Sequence, residues 1–376
     1  MSARLLMLSG DRDITSGRRG PFYTTLQGLA SEFDRIDVLA PRADDAQAIQ
    51  LYPAVRVEPA PVSRLRQSVW MRRRGADLLR RYGHGLIVSH DYGIFANGRA
   101  AAWLSRRWGL PYVSEIHHVP GHPKRAQWWE PLEQLVYRAY VTRVARRAVA
   151  IRVVNRREVP DLLAKWGVSR KRLLVLPSAY IDRSVFAPGN AERDFTLGFV
   201  GRLVANKNLG YVARVFATVA SRDCQARFVV AGQGPEGDSL RRRLRRSGVL
   251  GRVTFVDWLE RPADLADLYR RMRALIAPSL SEGGPRVCLE AMACETPVFT
   301  TPVGVMPETV DHGANGWLLS WSVEAGAELV VAALNDPDGL RTVGRAARAA
   351  TAGFAKSAVL GAYAAAYRRL AESGST

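Results

Sequence analysis

The chain has 376 residues, 47% of them hydrophobic and 24% charged, and Lys plus Arg outnumber Asp plus Glu by 54 to 35, a net charge of +19. That size and balance exclude a disordered chain and a disulfide-stapled miniprotein, and they suit two domains of about 100–200 residues each. Cys224, Cys288 and Cys294 have neither metal-ligand nor redox spacing and read as reduced thiols with no disulfide.

In chain order, Leu5–Ser9 reads as a short apolar strand, followed by a loop from Asp11 to Gly20 that carries Gly and Arg. A helix over Phe22–Phe33 and a strand over Ile36–Ala40 come next. Gly85–Ser89 is a strand, Ala96–Trp108 a helix, Tyr112–Ile116 a strand and Pro131–Ala148 a helix. Ala150–Val154 and Leu173–Leu176 are two more strands. Strands separated by helical patterns predict a parallel sheet covered on both faces. Tyr180–Asp194, with Pro188, Gly189 and Asn190, reads as a linker, and the rhythm then restarts. Strands follow at Thr196–Val200, Ala226–Ala231, Val253–Phe255, Ala274–Ala277, Pro297–Thr300 and Trp317–Leu319. Helices fall at Asn208–Val219, Asp238–Ser247, Ala263–Arg273, Arg286–Ala293 and Lys356–Leu370. The fold class expected is α/β: two Rossmann-like, doubly wound domains facing each other across a cleft, where open sheets of this kind take their ligands.

The apolar run Leu5–Leu8 is too brief for a signal peptide. No stretch approaches the ~18 apolar residues of a membrane span, so the expected location is the cytoplasm or the inner face of the plasma membrane. The charge is uneven. Residues 1–190 hold 31 basic and 16 acidic side chains, and residues 191–376 hold 23 and 19. A basic half suits an anionic partner such as phospholipid, nucleic acid or a phosphorylated substrate; arginines that merely solvate helix faces would give the same count.

Two segments carry chemistry. In Ser279–Ala293 (SLSEGGPRVCLEAMA), Glu282 and Glu290 stand eight apart across a strand–loop–helix turn. Gly283 and Gly284 let backbone N–H groups approach a ligand, and two carboxylates can accept hydrogen bonds from sugar and ribose hydroxyls. The spacing alone also fits an acid near a helix N-terminus followed by a solvent-facing Glu. In Gly198–Asn208 (GFVGRLVANKN), a strand ends at Gly201, and Arg202 and Lys207 follow in one loop. Fixed cations of this kind neutralise a departing diphosphate without a metal; two plain surface cations would share the spacing.

Taken together these segments, with VVAGQGPEGDSL and LYRRMRALIAPSLSEGGPRVCLEAMACETPVFTTPVGVMPETVDHGANGWLL, resemble glycosyltransferase family 4, retaining enzymes of the GT-B fold. The resemblance covers about the whole C-terminal half and, more weakly, the N-terminal half. It implies that Arg202 and Lys207 hold the donor diphosphate. Glu282 with the N–H groups of Gly283 and Gly284 would hold the donor sugar, and Glu290 the ribose. YVSEIH resembles the strand whose terminal His points at the transferred sugar; His117 is that position and His118 its rival. That His would orient the sugar while the leaving phosphate takes the acceptor proton. Gly20, in SGRRGP, falls where the family brings a glycine turn close to the donor phosphates. Gly304 and Glu308 fall in a structural turn beyond the site. The resemblance further implies an N-terminal acceptor-side domain over 1–185 joined by a C-terminal helix over 356–372, and a sugar-nucleotide domain over 190–355. The expected substrates are a UDP- or GDP-sugar and a glycan or lipid-linked acceptor of envelope or exopolysaccharide synthesis. No cofactor or metal is required, and Asp11-Arg12-Asp13 matches a metal motif in letters only. A catalytically silent relative, a sugar-nucleotide epimerase and a nucleic-acid binder are the competing readings, the last without any nucleic-acid-binding signature.

The chain departs from the family at Pro177–Asp182, where the usual Pro-Asn-Gly-Val-Asp reads PSAYID, and after Glu282, where Gly284 and Pro285 replace an aromatic and a second Gly. Pro285 removes one backbone N–H from the loop that touches the hexose. Outside the motifs, Ser63–Arg81 reads as an amphipathic, arginine-dense helix able to lie on anionic lipid, or as an ordinary crossover helix with a cationic outer face. In His122–Trp129 (HPKRAQWW), two Trp beside Lys124 and Arg125 read as an acceptor groove or as core packing.

Overall fold

The computed structural model describes residues 3–16, 20–43, 47–257, 259 and 261–373. Gly17, Arg18 and Arg19 of the SGRRGP loop lie outside the described residues. The first half runs β1 (Arg4–Leu8), α1 (Pro21–Leu29), β2 (Arg35–Ala40), β3 (Ile49–Tyr52), β4 (Val55–Pro59), α2 (Gln67–Tyr82), β5 (Leu86–His90), α3 (Ala96–Trp108), β6 (Tyr112–Ile116), α4 (Glu130–Arg143), β7 (Ala150–Val153), α5 (Glu158–Lys165) and β8 (Leu173–Val175). The second half runs β9 (Leu197–Val200), α6 (Leu209–Arg222), β10 (Phe228–Ala231), α7 (Gly237–Arg246), β11 (Val253–Val256), α8 (Pro262–Arg270), β12 (Leu275–Ala277), α9 (Arg286–Ala293), β13 (Val298–Thr300), α10 (Met306–Thr309), β14 (Trp317–Leu318), α11 (Val323–Leu334) and α12 (Pro337–Ala350), and the chain closes with α13 (Lys356–Ser373).

The strands form two sheets, ordered β3-β4-β2-β1-β5-β6-β7-β8 and β11-β10-β9-β12-β13-β14. Every neighbouring pair is parallel except the β3–β4 hairpin. In the first sheet the strand order reverses between β1 and β5, and in the second between β9 and β12. Crossover helices leave such a point on opposite faces, so a crevice opens at the C-terminal ends of those strands.

β1 shows why the sheet is covered on both sides. Leu6 and Leu8 enter one core with Met71, Leu79 and Leu104 of α2 and α3, whereas Leu5 and Met7 enter another with Phe22 and Leu26 of α1 and Tyr363 and Tyr367 of α13. Alternate side chains of one strand point to opposite faces. The second sheet does the same with Phe199, Phe216 and Phe228 on one side and Val229, Tyr269 and Leu289 on the other.

The expected strands are all present. The sequence reading passed over the β3–β4 hairpin, α5, α11 and α12. In β4, Val55 and Val57 alternate with Arg56 and Glu58, a half-buried pattern interrupted by Pro53 at the turn. α11 is Ala- and Val-rich and α12 Ala- and Arg-rich, and their capping residues, Ser322 and Asp336, accept hydrogen bonds from Ala325 N and Gly339 N. α1 ends at Leu29, four residues short of the expected Phe33. No helix among the described residues is long and apolar enough to cross a membrane.

α13 returns to the first sheet. Leu360 fills the space over Gly28 of α1, and Ala371 packs beside Gly85 at the foot of β5. A chain ended at Ala355 is expected to lose cooperative thermal unfolding of the first half, because the face lined by Leu5, Met7 and Val88 is stripped of its cover. Circular dichroism melts check this, and an unchanged profile would show that α13 is dispensable.

Candidate functional site

In the second half, the loops after β9, β10 and β12 are packed backbone against backbone. Gly201, Gly232 and Gly234 have φ of +145°, +136° and +156°. A Cβ on Gly232 would fall 2.1 Å from the Gly201 carbonyl oxygen, and one on Gly234 would fall 2.4 Å from that of Leu203. Only glycine fits such an approach. The β9 loop is stitched to the β12 loop by Asn206, whose Nδ2 donates to Ser281 O (3.0 Å) and whose carbonyl accepts from Leu280 N (2.8 Å). This stitching brings Lys207 Nζ onto Glu282 Oε1, an oxygen that also accepts from Ser279 Oγ. Arg202 leaves the same loop exposed, and its side chain makes no hydrogen bond or ion pair among the described residues.

Glu290 stands in the second turn of α9 and is buried, with Oε2 accepting from Tyr269 OH at 3.0 Å. Burial raises its pKa, against the pull of Arg286. It is therefore no solvent-facing acid. Arg286 opens α9 and lies over the Tyr180 ring, 4.9 Å from its centroid. The Tyr180 hydroxyl in turn meets Thr25 Oγ1 (3.1 Å) and donates to Pro21 O (3.2 Å), at the first turn of α1. Gly20 caps that helix in extended geometry (φ −95°), and a Cβ there would meet nothing within 4 Å. Its backbone is open to the cleft, but its conformation does not demand glycine.

In the first half, the switch point carries two histidines around one carboxylate. Glu115 of β6 is buried, and its Oε2 accepts from Arg152 Nη1 of β7 at 2.8 Å and lies 3.1 Å from His117 Nε2 and 3.6 Å from His90 Nε2. Its Oε1 accepts from Tyr367 OH (2.6 Å) and Tyr363 OH (2.7 Å) of α13. Burial alone would raise the Glu115 pKa, but Arg152, His90 and His117 together hold it well below the ordinary range. His90 ends β5, shares Nδ1 with Ser9 Oγ at 3.1 Å, and is held by burial at about 4, so its ring is neutral at physiological pH. His117 is 43% exposed at the side chain and faces the cleft. His118 is exposed too; the protein crowding its ring and the neighbouring His117 lower its pKa, and it feels the charges of Glu282 and Arg202.

The two halves touch at the site itself. A Cβ on Gly283 would fall 2.2 Å from the His117 carbonyl oxygen, and one on Gly304 (φ +59°) would fall 2.2 Å from that of Gly283. Gly284 has ordinary room beside Ala179 and Val305. Lys124 N donates to Leu280 O across the cleft at 3.2 Å. Beyond the loop after β12, two carboxylates cap in trans. Glu308 Oε1 accepts from Arg156 N (2.7 Å) and Arg157 N (3.0 Å) at the start of α5, and Glu158 Oε2 accepts from Gly304 N (2.7 Å). Burial pushes the Glu158 pKa to about 8, opposed by the Gly304 N–H, and its Oε1 has no hydrogen-bond partner among the described residues.

The structure thus unites Lys207, Glu282, Gly283 and His117, keeps Arg202 at the rim, and sets Glu290 and Gly20 further back. Sequence reading missed Glu115, Arg152, His90, Tyr363, Tyr367 and Glu158. A signal was present for the first two: a lone acid and a lone base inside the apolar strands YVSEI and AIRV, neighbours in the sheet. Of the other features, Trp128 is 85% exposed and Trp129 43%, so neither is core packing. Most apolar residues of α2, among them Met71, Leu78 and Leu79, are buried in the first core, while Val69 in its first turn is 50% exposed.

Residues 194–336 match the family model described as glycosyl transferases group 1, and residues 22–179 match the glycosyl transferase 4-like domain. The chain is 30% identical over 322 residues to a D-inositol 3-phosphate glycosyltransferase of Kribbella flavida, covering 79% of this chain and 74% of the relative. It is 32% identical over 319 residues to D-inositol 3-phosphate glycosyltransferase 2 of Catenulispora acidiphila, covering 77% and 71%. Among solved structures, the sucrose-phosphate synthase of Thermosynechococcus elongatus superposes with a TM-score of 0.82 at 20% identity over 99% of this chain and all of the other. Anabaena HepE in complex with UDP-glucose gives 0.75 at 20% identity over 99% of each chain. The fold is that of the GT-B glycosyltransferases.

Two substitutions test the electrostatics. Glu115→Gln leaves the buried Arg152 guanidinium without its counter-charge and is expected to cost about 3–5 kcal/mol in denaturant unfolding; a loss under about 1 kcal/mol would remove Glu115 from its central place. Glu158 holds its proton in the folded state up to about pH 8, whereas an unfolded Glu releases it near ~4.3. The folded state therefore binds more protons between those values, and stability falls as pH rises through that window. Glu158→Gln is expected to flatten that slope and to raise stability at pH 8 by about 1–3 kcal/mol; parallel pH profiles of the two proteins would refute it.

Proposed function

Because the chain belongs to the group 1 glycosyl transferases, we propose that it is a retaining hexosyltransferase using a nucleoside-diphosphate sugar, UDP- or GDP-linked, with a glycan or lipid-linked acceptor of envelope or exopolysaccharide synthesis. Residues 190–355 form the donor domain, and residues 1–185 with helix 356–372 form the acceptor side. The protein works in the cytoplasm, peripheral at the anionic inner face of the plasma membrane. The observation that carries this reading is the Lys207–Glu282 pair in the β9–β12 crevice, with the Gly283 backbone against His117 of the other half.

In this reading Lys207 and Arg202 neutralise the donor diphosphate, and Glu282 with the N–H groups of Gly283 and Gly284 holds the hexose hydroxyls. Donor entry trades the Lys207–Glu282 ion pair for Lys207 on phosphate and Glu282 on sugar, so two charges that satisfy each other beforehand become ligand contacts. Glu290 takes the ribose with the oxygen Tyr269 leaves free, and the Gly20 backbone approaches the phosphates. His117, held through Nε2 by Glu115, orients the sugar at its anomeric end. The bond from the anomeric carbon to the diphosphate oxygen breaks, the acceptor oxygen bonds to that carbon from the same face, and the acceptor proton passes to the leaving phosphate. No divalent metal is required for this charge neutralisation. The HepE complex with UDP-glucose is the kind of donor association expected.

A thermal-shift panel of UDP-, GDP- and ADP-sugars tests the donor site beside Glu282→Ala and Lys207→Ala. One nucleotide class is expected to raise Tm by several degrees in the parent and to lose that effect in both variants, and NMR of the product is expected to show the donor's anomeric configuration. No shift with any donor, or an inverted product, would overturn the reading.

A further inference from the structure

All eleven large hydrophobic side chains exposed among the described residues lie in the first half, at or before Val175. Nine of them gather on one region: Leu65 just before α2 and Val69 in its first turn, Tyr92 and Ile94 in the β5–α3 loop, and Trp128, Trp129, Leu132, Leu135 and Val136 on and just before α4. α4 is apolar on two sides. Tyr137, Tyr140 and Val141 face the core, whereas Leu132, Leu135 and Val136, spaced i, i+3, i+4, form an outward stripe. Leu132 is 65% exposed and Leu135 61%.

These pieces are one surface. Phe95, at the end of the β5–α3 loop, stacks on Tyr140 with ring centroids 4.0 Å apart and meets Tyr137 edge-on at 4.6 Å. The guanidinium of Arg64 lies against Gly93 in the same loop. The surface begins at the cleft mouth, since Tyr92 covers Gly10 at the end of β1 and Lys124 bonds across to Leu280. Its rim is cationic: Arg64, Arg66, Arg99, Lys124, Arg125 and Arg138 are exposed, and none pairs with a carboxylate among the described residues. Glu133 is the single exposed acid of α4.

We infer that this surface docks the protein on an anionic lipid bilayer, with Trp128, Leu132 and Leu135 entering the headgroup boundary and the arginines meeting lipid phosphates. Apolar insertion and cation attraction add at such an interface. A second copy of the chain is the poorer occupant, because a two-fold contact would bring the same unpaired cations face to face. The membrane plane would then lie beside the cleft mouth, where a lipid-linked acceptor presents its reacting hydroxyl. The inference moves the contact from the arginine-dense α2 to α4, and it rests on the membrane-side reading proposed above.

Flotation of the full chain with vesicles of pure phosphatidylcholine, and of phosphatidylcholine with a third phosphatidylglycerol, tests it. The parent is expected to float with the anionic vesicles at least about tenfold better than with the neutral ones, and less so at high salt. The triple variant W128S/L132S/L135S changes only exposed side chains; it is expected to keep its Tm and its nucleotide-sugar thermal shift and to lose flotation by about tenfold or more. Val175→Ser, on an exposed apolar side chain away from the patch, is expected to float like the parent. Failure of the parent to bind either vesicle, equal flotation of the triple variant, or a dimer in sedimentation that the triple variant abolishes would overturn the inference. A donor shift retained alongside any of these would leave the transferase reading standing.

Discussion

One buried carboxylate holds the first half of this molecule in its working shape. Glu115 sits between strands that the sheet makes neighbours and is approached by groups from four elements: Arg152 of β7, His90 of β5, His117 beyond β6, and two tyrosines of α13. A lone charge in that interior would be prohibitively costly; surrounded by a guanidinium and hydroxyl donors it becomes a fixed anchor. Because two of its partners arrive from the last helix, the end of the chain sets the surroundings of a histidine near residue 117. Fold closure and site geometry are thereby one problem in this protein.

A second constraint is steric. The loop after β12 approaches the first half so closely that Gly283 has no room for a side chain, and Gly304 has none against Gly283. Glycine here serves contact between two backbones. The same region holds the reciprocal carboxylate caps of Glu158 and Glu308, each covering N–H groups of the opposite half. These contacts pair a carboxylate of each half with backbone N–H groups of the other, so neither set of N–H groups is left unsatisfied where the halves meet.

The motif residues were legible because their chemistry is written in local spacing. A strand ending in glycine followed by two cations, and a pair of acids flanking a glycine turn, both specify a loop at a strand end, and the structure joins them through Lys207 and Glu282. The parallel sheets were legible from apolar runs such as FVVA and LIVS. The β3–β4 hairpin and α11 were not, since short alternation around Pro53 and an Ala-rich helix carry weak periodicity, whereas α12 has a clear amphipathic pattern that was overlooked. The arginine-dense segment stood out by its charge, but α2 turns most of its apolar side chains to the core, and most of the bare apolar surface lies on and just before α4.

What the sequence determined by itself was the class of fold and the family motifs that single out the loops after β9 and β12 and the histidine after β6 as candidates, because each depends on residues a few positions apart. The tertiary structure alone decided what surrounds them. Glu115 and Tyr367 are 252 positions apart, and Lys207 and Glu282 are 75 apart. Which face of α4 stays bare is likewise settled by what packs on its other side. Local pattern fixes where a strand, loop or helix begins, but partners for a buried charge are chosen by chain topology, which brings together groups that no local spacing connects.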